Sequence, residues 1–204
     1  MRMTRFEKLL VNRQRKGRRN AKTVESLLEK VDSSRIKDVL EIGCGIGVVS
    51  ETLAESRDVR VVGTDVDPEQ VELARKLYQQ NDRVRFLVED AAHLTFPDHS
   101  FDLAVSQMVL HHVSGWREVV REVARVLRPG GVYLWQDLAL PGWLKKLPEP
   151  FIRPLGLYTF EDMLNEFEAV GLRQLFHEEK RSAPFFFLLH YVILEKRSST
   201  QQAA

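Results

Sequence analysis

Three glycines and two aspartates carry the clearest chemical signal in the sequence. The turn GCGIG, residues 43–47, follows the apolar run 39–42 and precedes a helical segment. Glycines let a backbone approach a ligand closely, and the free N–H groups at a helix start favour anionic groups. Asp65 and Asp90 each end a later apolar run. In open α/β sheets the ligand lies beyond the carboxyl ends of the strands, so this spacing predicts a nucleotide-like ligand.

Each acidic residue suggests one contact with such a ligand. Asp65 is placed to accept hydrogen bonds from both ribose hydroxyls, and Asp90 from the adenine amino group. Val66 can lie flat against the adenine ring. A dinucleotide site prefers G-x-G-x-x-G, whereas Val48 occupies the sixth position here, so a nicotinamide-dependent oxidoreductase is a disfavoured alternative. A Walker-type loop needs Gly-Lys-Ser/Thr, which the sequence lacks.

Strand-like and helix-like segments alternate along most of the chain, which predicts a doubly wound α/β fold with a mostly parallel sheet. The expected strands are 39–42, 59–63, 84–88, 101–106, 132–135, 172–178 and 185–195. The expected helices lie near 20–31, 47–56, 67–77 and 116–127, with a last one from Thr159 to Gly171. Asp67 and Pro68 mark a helix start, and Thr159 with Asp162 resembles a capping box. No helix separates the last two strands, which favours an antiparallel hairpin.

These motifs together resemble the class I S-adenosylmethionine-dependent methyltransferases. The resemblance is carried by VLEIGCGIG (39–47), VVGTDVDPEQVELAR (61–75), VEDAAHLTFPDHSFDLAVSQMVLHHV (88–113) and VLRPGG (126–131). It is nearest to the small-molecule branch that includes ubiquinone and menaquinone biosynthesis methyltransferases. It implies a Rossmann-like, seven-stranded sheet whose last strand is antiparallel, and S-adenosylmethionine as cofactor.

The resemblance also implies roles for individual residues. Glu41 would lie near the amino group of the cofactor, and Gln107 would line its methyl-donor end. The remaining implied contacts are Gly43 and Gly45 at the turn, Asp65 on the ribose, and Asp90 with Ala91 on the adenine.

Methyl transfer from a sulfonium needs few catalytic groups. The donor is already activated, so the enzyme mainly aligns the acceptor and excludes water. A general base helps where the acceptor must lose a proton. His111 and His112 follow the fourth strand and are the candidate bases, since histidine titrates near neutral pH. Asp137, after the fifth strand, stands alone among acids there, so no metal is predicted.

Composition and charge give a first description of the organisation. The length of 204 residues suits one domain, 1–204. Residues 1–22 form a basic arm with nine Lys and Arg and one Glu, a net charge of +8 in a chain whose total is +1. Residues 140–157 hold four prolines and are interpreted as an inserted segment, and residues 196–204 as a frayed tail.

The inserted segment is expected to shape substrate choice. Trp143, Phe151 and Tyr158 could form a lid over an apolar or aromatic small molecule. The alternatives are an RNA or protein methyltransferase docked through the basic arm, and a non-catalytic subunit that binds cofactor and activates a partner. One cysteine, no secretory signal and no apolar run long enough for a bilayer indicate a cytoplasmic protein. The sequence does not indicate an oligomeric state.

Overall fold

A seven-stranded sheet with helices on both faces is the frame of the molecule. The computed structural model describes residues 14–140, 158–181 and 188–198. The strands are β1 (Asp38–Ile42), β2 (Arg60–Asp65), β3 (Val84–Val88), β4 (Phe101–Gln107), β5 (Leu127–Ala139), β6 (Leu172–Arg181) and β7 (Leu188–Lys196). The helices are α1 (Gln14–Leu28), α2 (Val48–Ser56), α3 (Pro68–Leu77), α4 (Trp116–Val126) and α5 (Phe160–Ala169), with a 3₁₀ turn at Leu110–His112.

The strand order is β3-β2-β1-β4-β5-β7-β6. Strands β1 to β5 pair in parallel, whereas β7 pairs antiparallel with both β5 and β6. The predicted fold class is therefore confirmed, including the antiparallel last strand and the terminal hairpin. The order reverses between β1 and β4, and such a switch point opens a crevice at the carboxyl edge of the sheet.

Two apolar clusters cover the two faces of the sheet. Alternate residues of a strand point to opposite faces. Tyr133 and Trp135 of β5 therefore pack with α4 and α5, while Val132 and Leu134 pack with the cluster that contains α1, α2 and α3. Helix α4 forms because its valines recur at helical spacing and are all buried on the first face; they are Val119, Val120, Val123 and Val126.

Two helices begin with the capping residues that the sequence predicted. The Asp67 side chain accepts a hydrogen bond from Glu69 N at 3.0 Å and caps α3, with Pro68 at the first helical position. At α5, Thr159 and Asp162 bond reciprocally to each other's backbone N–H groups, at 3.0 and 3.2 Å. The aspartate in place of Glu or Gln therefore still completes a capping box.

The fifth strand is longer than the sequence predicted. Helix α4 ends at Val126, and the chain enters β5 directly at Leu127, so Pro129 and Gly130 lie within the strand. Gly130 adopts φ 78° there. Asp137, expected beyond the strand, is instead inside it, because pairing with β7 extends β5 to Ala139.

Several predictions fall partly outside the described residues. Of the basic arm, residues 14–22 belong to α1, and residues 1–13 lie outside. Of segment 140–157 only Leu140 is described, so the lid residues Trp143 and Phe151 lie outside and the lid stays a prediction. Residues 199–204 of the tail also lie outside. Within the described ranges, none of the helices is long and apolar enough to cross a membrane.

Candidate active site

The glycine turn lies at the carboxyl end of β1, and its three glycines differ in how closely other residues pack against them. All have positive φ, at 69°, 53° and 80°, which favours glycine. A Cβ on Gly43 would lie 2.3 Å from Val109 Cγ2, and one on Gly47 would lie 2.4 Å from Phe86 Cζ. A Cβ on Gly45 would meet its nearest neighbouring atom only at 3.8 Å. Gly43 and Gly47 are therefore fixed by packing, and Gly45 has open space beside it.

Asp65 ends β2 and is directly bonded to the glycine turn. Its Oδ2 accepts from Gly45 N at 2.9 Å, and its Oδ1 accepts from Asp67 N at 2.9 Å. A carboxylate oxygen has two lone-pair positions, so each oxygen keeps one for a further donor. That capacity matches the two hydroxyls of a ribose. The side chain is largely buried, and burial raises the pKa of Asp65.

Glu41 provides a second buried carboxyl near the turn. Ser50 Oγ donates to Glu41 Oε2 at 2.5 Å. Burial raises the pKa of Glu41 to about 7, and the nearby charge of Asp65 acts in the same direction. A cation beside Glu41 would offset both effects, which fits the ammonium group of an amino acid moiety.

The predicted adenine contacts lie at the ends of β2 and β3. The side chain of Val66 is exposed, as a flat contact with a ring requires. Asp90 Oδ1 accepts from Ala92 N at 3.0 Å, and Asp90 Oδ2 lies 3.2 Å from His93 Nδ1. The bond from Ala92, together with His93, lowers the pKa of Asp90, which remains exposed. Ala91 is half-buried against the core.

Gln107 ends β4 at the place expected for the methyl-donor end of the cofactor. Its Nε2 donates to Asn20 O at 3.2 Å and to Gln136 Oε1 at 2.6 Å. Its own Oε1 is buried, and no described residue donates to it. The Oε1 of Gln70, on α3 beside Gly45, is buried and without a donor in the same way. Buried acceptors without donors are unfavourable, so both amides fit a ligand that carries N–H groups.

His111 and Asp137 form a pair that the sequence did not reveal. His111, in the 3₁₀ turn after β4, donates its Nδ1–H to Asp137 Oδ1. Asp137 is fully buried and also accepts from the backbone N–H groups of Val109, Leu110 and Leu138, at 3.1, 2.6 and 2.7 Å. This arrangement fixes the imidazole ring, and in a neutral ring it makes Nε2 the acceptor, as a general base requires.

The two candidate histidines differ in surroundings. The His112 ring is exposed and lies beside that of His111, with centroids 3.9 Å apart. His111 is mostly enclosed and bonded to Asp137. The turn that carries them begins at Met108, a non-glycine residue with φ 58°, whose N–H bonds to Gln136 O at 2.8 Å. Such strain of about 1–2 kcal/mol is typical of functional sites.

Part of the chain is similar to proteins of a known family. Residues 40–135 match the family described as a methyltransferase domain. The match covers a little under half of the chain, residues 40–135 of 204. A 27-O-demethylrifamycin SV methyltransferase from Amycolatopsis mediterranei is 43% identical over 105 residues, covering 50% of this chain and 39% of that protein. A 2-methyl-6-phytyl-1,4-hydroquinone methyltransferase from Synechocystis sp. is 37% identical over 99 residues, covering 48% and 31%.

A solved structure shares the fold of the methyltransferase domain. The structure of a putative sarcosine dimethylglycine methyltransferase from Galdieria sulphuraria superposes with a TM-score of 0.77 at 16% identity, covering 88% of this chain and 86% of that one. The chain spans about half or less of the length of the first curated relatives it matches. The cofactor of class I methyltransferase domains is S-adenosylmethionine, and Glu41, Asp65 and Gln107 present groups that suit it.

Two other features of the described residues do not coincide with this site. Within the described part of the chain, no group of three or more His, Cys, Asp or Glu is arranged to hold a metal ion. A concavity of about 320 Å³ beside β3 is lined by Tyr78, Val84 and neighbouring residues, and it contains none of the predicted site residues. The chemistry of the donor set therefore assigns the site to the carboxyl edge around the glycine turn.

Proposed function

We propose that the chain is an S-adenosylmethionine-dependent methyltransferase that acts on a small molecule, with His111 as general base. The observation that carries the proposal is the His111–Asp137 pair at the same sheet edge as Gly45 and Asp65. A cofactor-binding subunit without turnover would not need a buried carboxylate that holds one imidazole nitrogen and so fixes the ring.

The cofactor residues in this proposal are those the sequence singled out. Asp65 accepts from the ribose hydroxyls, Glu41 pairs with the ammonium group, and the Gly45 backbone approaches the amino acid end. Gln107 Oε1 accepts from the same ammonium group. Val66, Asp90 and Ala91 surround the adenine, and Gly43 supports the turn through its contact with Val109.

The base acts on an acceptor whose nucleophile carries a proton. When bound, the cofactor supplies an electrophilic methyl carbon, whose bond to sulfur breaks with its electron pair staying on sulfur as the acceptor bond forms. His111 Nε2 takes the acceptor proton, and Asp137 stabilises the resulting imidazolium through the Nδ1–H bond. The names of the two relatives, a 27-O-demethylrifamycin and a hydroquinone methyltransferase, support acceptors with hydroxyl groups.

The first test concerns the cofactor. Calorimetric titration should show binding of S-adenosylmethionine and of S-adenosylhomocysteine, and no binding of NAD or NADP. Tight nicotinamide-cofactor binding without S-adenosylmethionine binding would refute the proposal.

The second test concerns the base. A radiolabelled methyl-transfer screen over phenols and other hydroxy compounds, with RNA and protein fractions included, identifies the acceptor. On that acceptor, His111→Gln should lower kcat by about 10²–10⁴-fold, the usual contribution of a general base. His112→Gln tests the competing candidate, and His99→Gln, at the far end of β4, is the control. Loss of activity in the His112 variant alone would reassign the base.

A cytoplasmic location is part of this proposal. It is supported by the single cysteine, Cys44, which is buried and whose thiol pKa is raised by burial, so it suits a packing role rather than a disulfide. Fractionation of cells that express a tagged chain tests it, and recovery with membranes or secreted material would contradict it.

A further inference from the structure

Three buried polar atoms of residues on or next to β5 have no hydrogen-bond partner among the described residues. They are Tyr158 Oη, Trp135 Nε1 and His190 Nε2. All belong to one aromatic cluster, because the Trp135 ring centroid lies 6.2 Å from that of Tyr158 and 6.3 Å from that of His190. Folded proteins leave few such atoms without partners, and a concentration of them in one place requires an explanation.

Tyr158 is the member held most firmly at the site. Leu140 N, at the end of β5, donates to Tyr158 O at 2.9 Å, and Thr159 begins the capping box of α5. The Tyr158 ring packs against Trp116 with centroids 5.1 Å apart, and the residue is only 3% exposed. The position of the hydroxyl is therefore set by backbone and ring contacts and is not that of a loose side chain.

Asp137 is a charged neighbour that acts on Tyr158, but Tyr158 Oη forms no hydrogen bond of normal geometry with it. Each of its oxygens already accepts two hydrogen bonds: Oδ1 from His111 and Leu138, and Oδ2 from Val109 and Leu110. A carboxylate offers about four lone-pair positions, and all four are occupied. Burial, and then the charge of Asp137, raise the pKa of Tyr158, which keeps the hydroxyl protonated.

Tyr133 shows what a structural buried tyrosine looks like in this molecule. Tyr133 lies on the same face of β5 as Trp135, in the cluster that also contains Tyr158. It is fully buried, and its hydroxyl is bonded to Ser106 Oγ at 2.7 Å. Tyr158 is also buried, but its hydroxyl has no such partner. The difference identifies Tyr158 as a donor that awaits a ligand atom.

We propose that Tyr158 donates a hydrogen bond to the acceptor oxygen while His111 Nε2 removes the proton from that oxygen, so that the acceptor is a phenol or an enol. This inference rests on the proposed function. The reacting atom needs one lone pair for the methyl carbon and a second for the Tyr158 hydroxyl, which an oxygen has and an amine nitrogen lacks. The Tyr158 bond stabilises the oxyanion left after proton transfer, so Tyr158 selects an acidic hydroxyl.

The test uses 4-nitrophenol as the probe, because its phenolate has a distinct visible absorption. The full chain is loaded with S-adenosylhomocysteine and titrated with the probe, and the variants Tyr158→Phe and Tyr133→Phe are compared. For Tyr158→Phe we expect about tenfold weaker probe binding and a smaller bound phenolate fraction, with unchanged S-adenosylhomocysteine affinity. Its Tm should be equal to or above that of the wild type, because a buried hydroxyl without a partner is removed.

The control variant separates a binding role from a structural one. Tyr133→Phe breaks an existing buried hydrogen bond, so its Tm should fall while probe binding stays unchanged. A lowered Tm with unchanged probe binding in Tyr158→Phe would overturn the inference. So would a wild-type protein that binds S-adenosylhomocysteine but not millimolar 4-nitrophenol, or one that binds 4-nitroaniline with the same dependence on Tyr158. Failure of the wild type to bind S-adenosylhomocysteine would instead overturn the proposed function itself.

Discussion

The two halves of the carboxyl edge are built in different ways. In the half formed by β1, β2 and β3, the central carboxylate, Asp65, is bonded to backbone N–H groups of nearby turns. In the half formed by β4, β5 and β7, Asp137 is saturated, and the aromatic rings around it leave Tyr158 Oη and other buried atoms without partners. In the first half the carboxylate keeps room for further donors, and Gln70 Oε1 is a buried acceptor without a donor. In the second half the carboxylate is saturated, and the buried atoms without partners include a donor, the Tyr158 hydroxyl.

This difference matches the two ligands of a methyltransferase. One methyl donor serves the whole family, so its half of the edge can be built from backbone geometry. The acceptor varies between enzymes, and its half is built from side chains on β5, β7 and the segment before α5. Variants in each half should therefore separate cofactor binding from acceptor binding.

The largest change in cofactor affinity is expected at Asp65. Asp65→Ala removes two acceptors for ribose hydroxyls, and hydrogen bonds to a charged group contribute about 1.5 kcal/mol each, so S-adenosylmethionine should bind about 100-fold more weakly. Calorimetry on the variant measures this loss. Asp58→Ala, an exposed aspartate on the loop before β2, is the control. An affinity within threefold of the wild type would show that Asp65 serves only to hold the turn.

The same contrast explains what the sequence could predict. The glycine turn, Asp65 and the caps at Asp67 and Thr159 act within a few residues or at successive strand ends, so their patterns are visible in the chain. All seven strands and all five helices were predicted, because apolar periodicity is a local signal. Most bounds agree within three residues, but β5 was expected only over 132–135 and the first helix was expected to begin near residue 20 instead of at Gln14.

The acceptor half depends on contacts that no local pattern reveals. His111 and Asp137 are 26 positions apart, and their pairing depends on the alignment of β4 with β5. Asp137 was expected after its strand, because the antiparallel pairing with β7 that extends β5 is a long-range property. Tyr158 was predicted as a lid residue, but its lack of a hydrogen-bond partner beside a saturated carboxylate is apparent only once the fold brings them together.

A second effect should separate the cost of packing at Gly47, in the cofactor half, from the cost of a positive φ alone. In Gly47→Ala the new Cβ lies 2.4 Å from Phe86 Cζ, and the residue keeps a positive φ that disfavours alanine. We therefore expect the free energy of unfolding to fall by about 3 kcal/mol. Gly130→Ala has a similar φ with no atom within 4 Å, so it should lose only about 1 kcal/mol. Urea denaturation measures both. Equal losses of stability would mean that the Phe86 side chain moves aside at no cost in free energy.

A third effect, of up to about tenfold per pH unit, is expected from Glu41. Its pKa of about 7 means that the carboxylate needed to pair with the ammonium group forms only as the pH rises through 7. S-adenosylmethionine affinity should therefore increase between pH 5.5 and 7.5, and Glu41→Gln should abolish the trend. If the affinity still depends on pH in Glu41→Gln, another group must be the one that loses a proton over this range.

The stability of the cofactor-free protein should respond to Glu41 in the opposite direction. The folded state favours the neutral carboxyl, so the stabilising contribution is complete below the ordinary value of 4.5 and is lost as the pH rises through about 7. Urea denaturation at several pH values should show this decline in the wild type and a flatter profile in Glu41→Gln. A wild-type profile that rises over this range would contradict the assignment.

The smallest effect compares the two helix caps, one in each half. Thr159→Ala removes the capping box of α5 and Asp67→Ala removes the cap of α3, and each should lower the free energy of unfolding by about 1 kcal/mol. The Asp67 cap also orients the backbone N–H that bonds to Asp65, so Asp67→Ala should weaken S-adenosylmethionine binding several-fold. Thr159→Ala should leave that affinity unchanged and weaken 4-nitrophenol binding, because Tyr158 precedes the cap. Equal effects of both variants on both ligands would show that the two halves are coupled and that the edge responds as one unit.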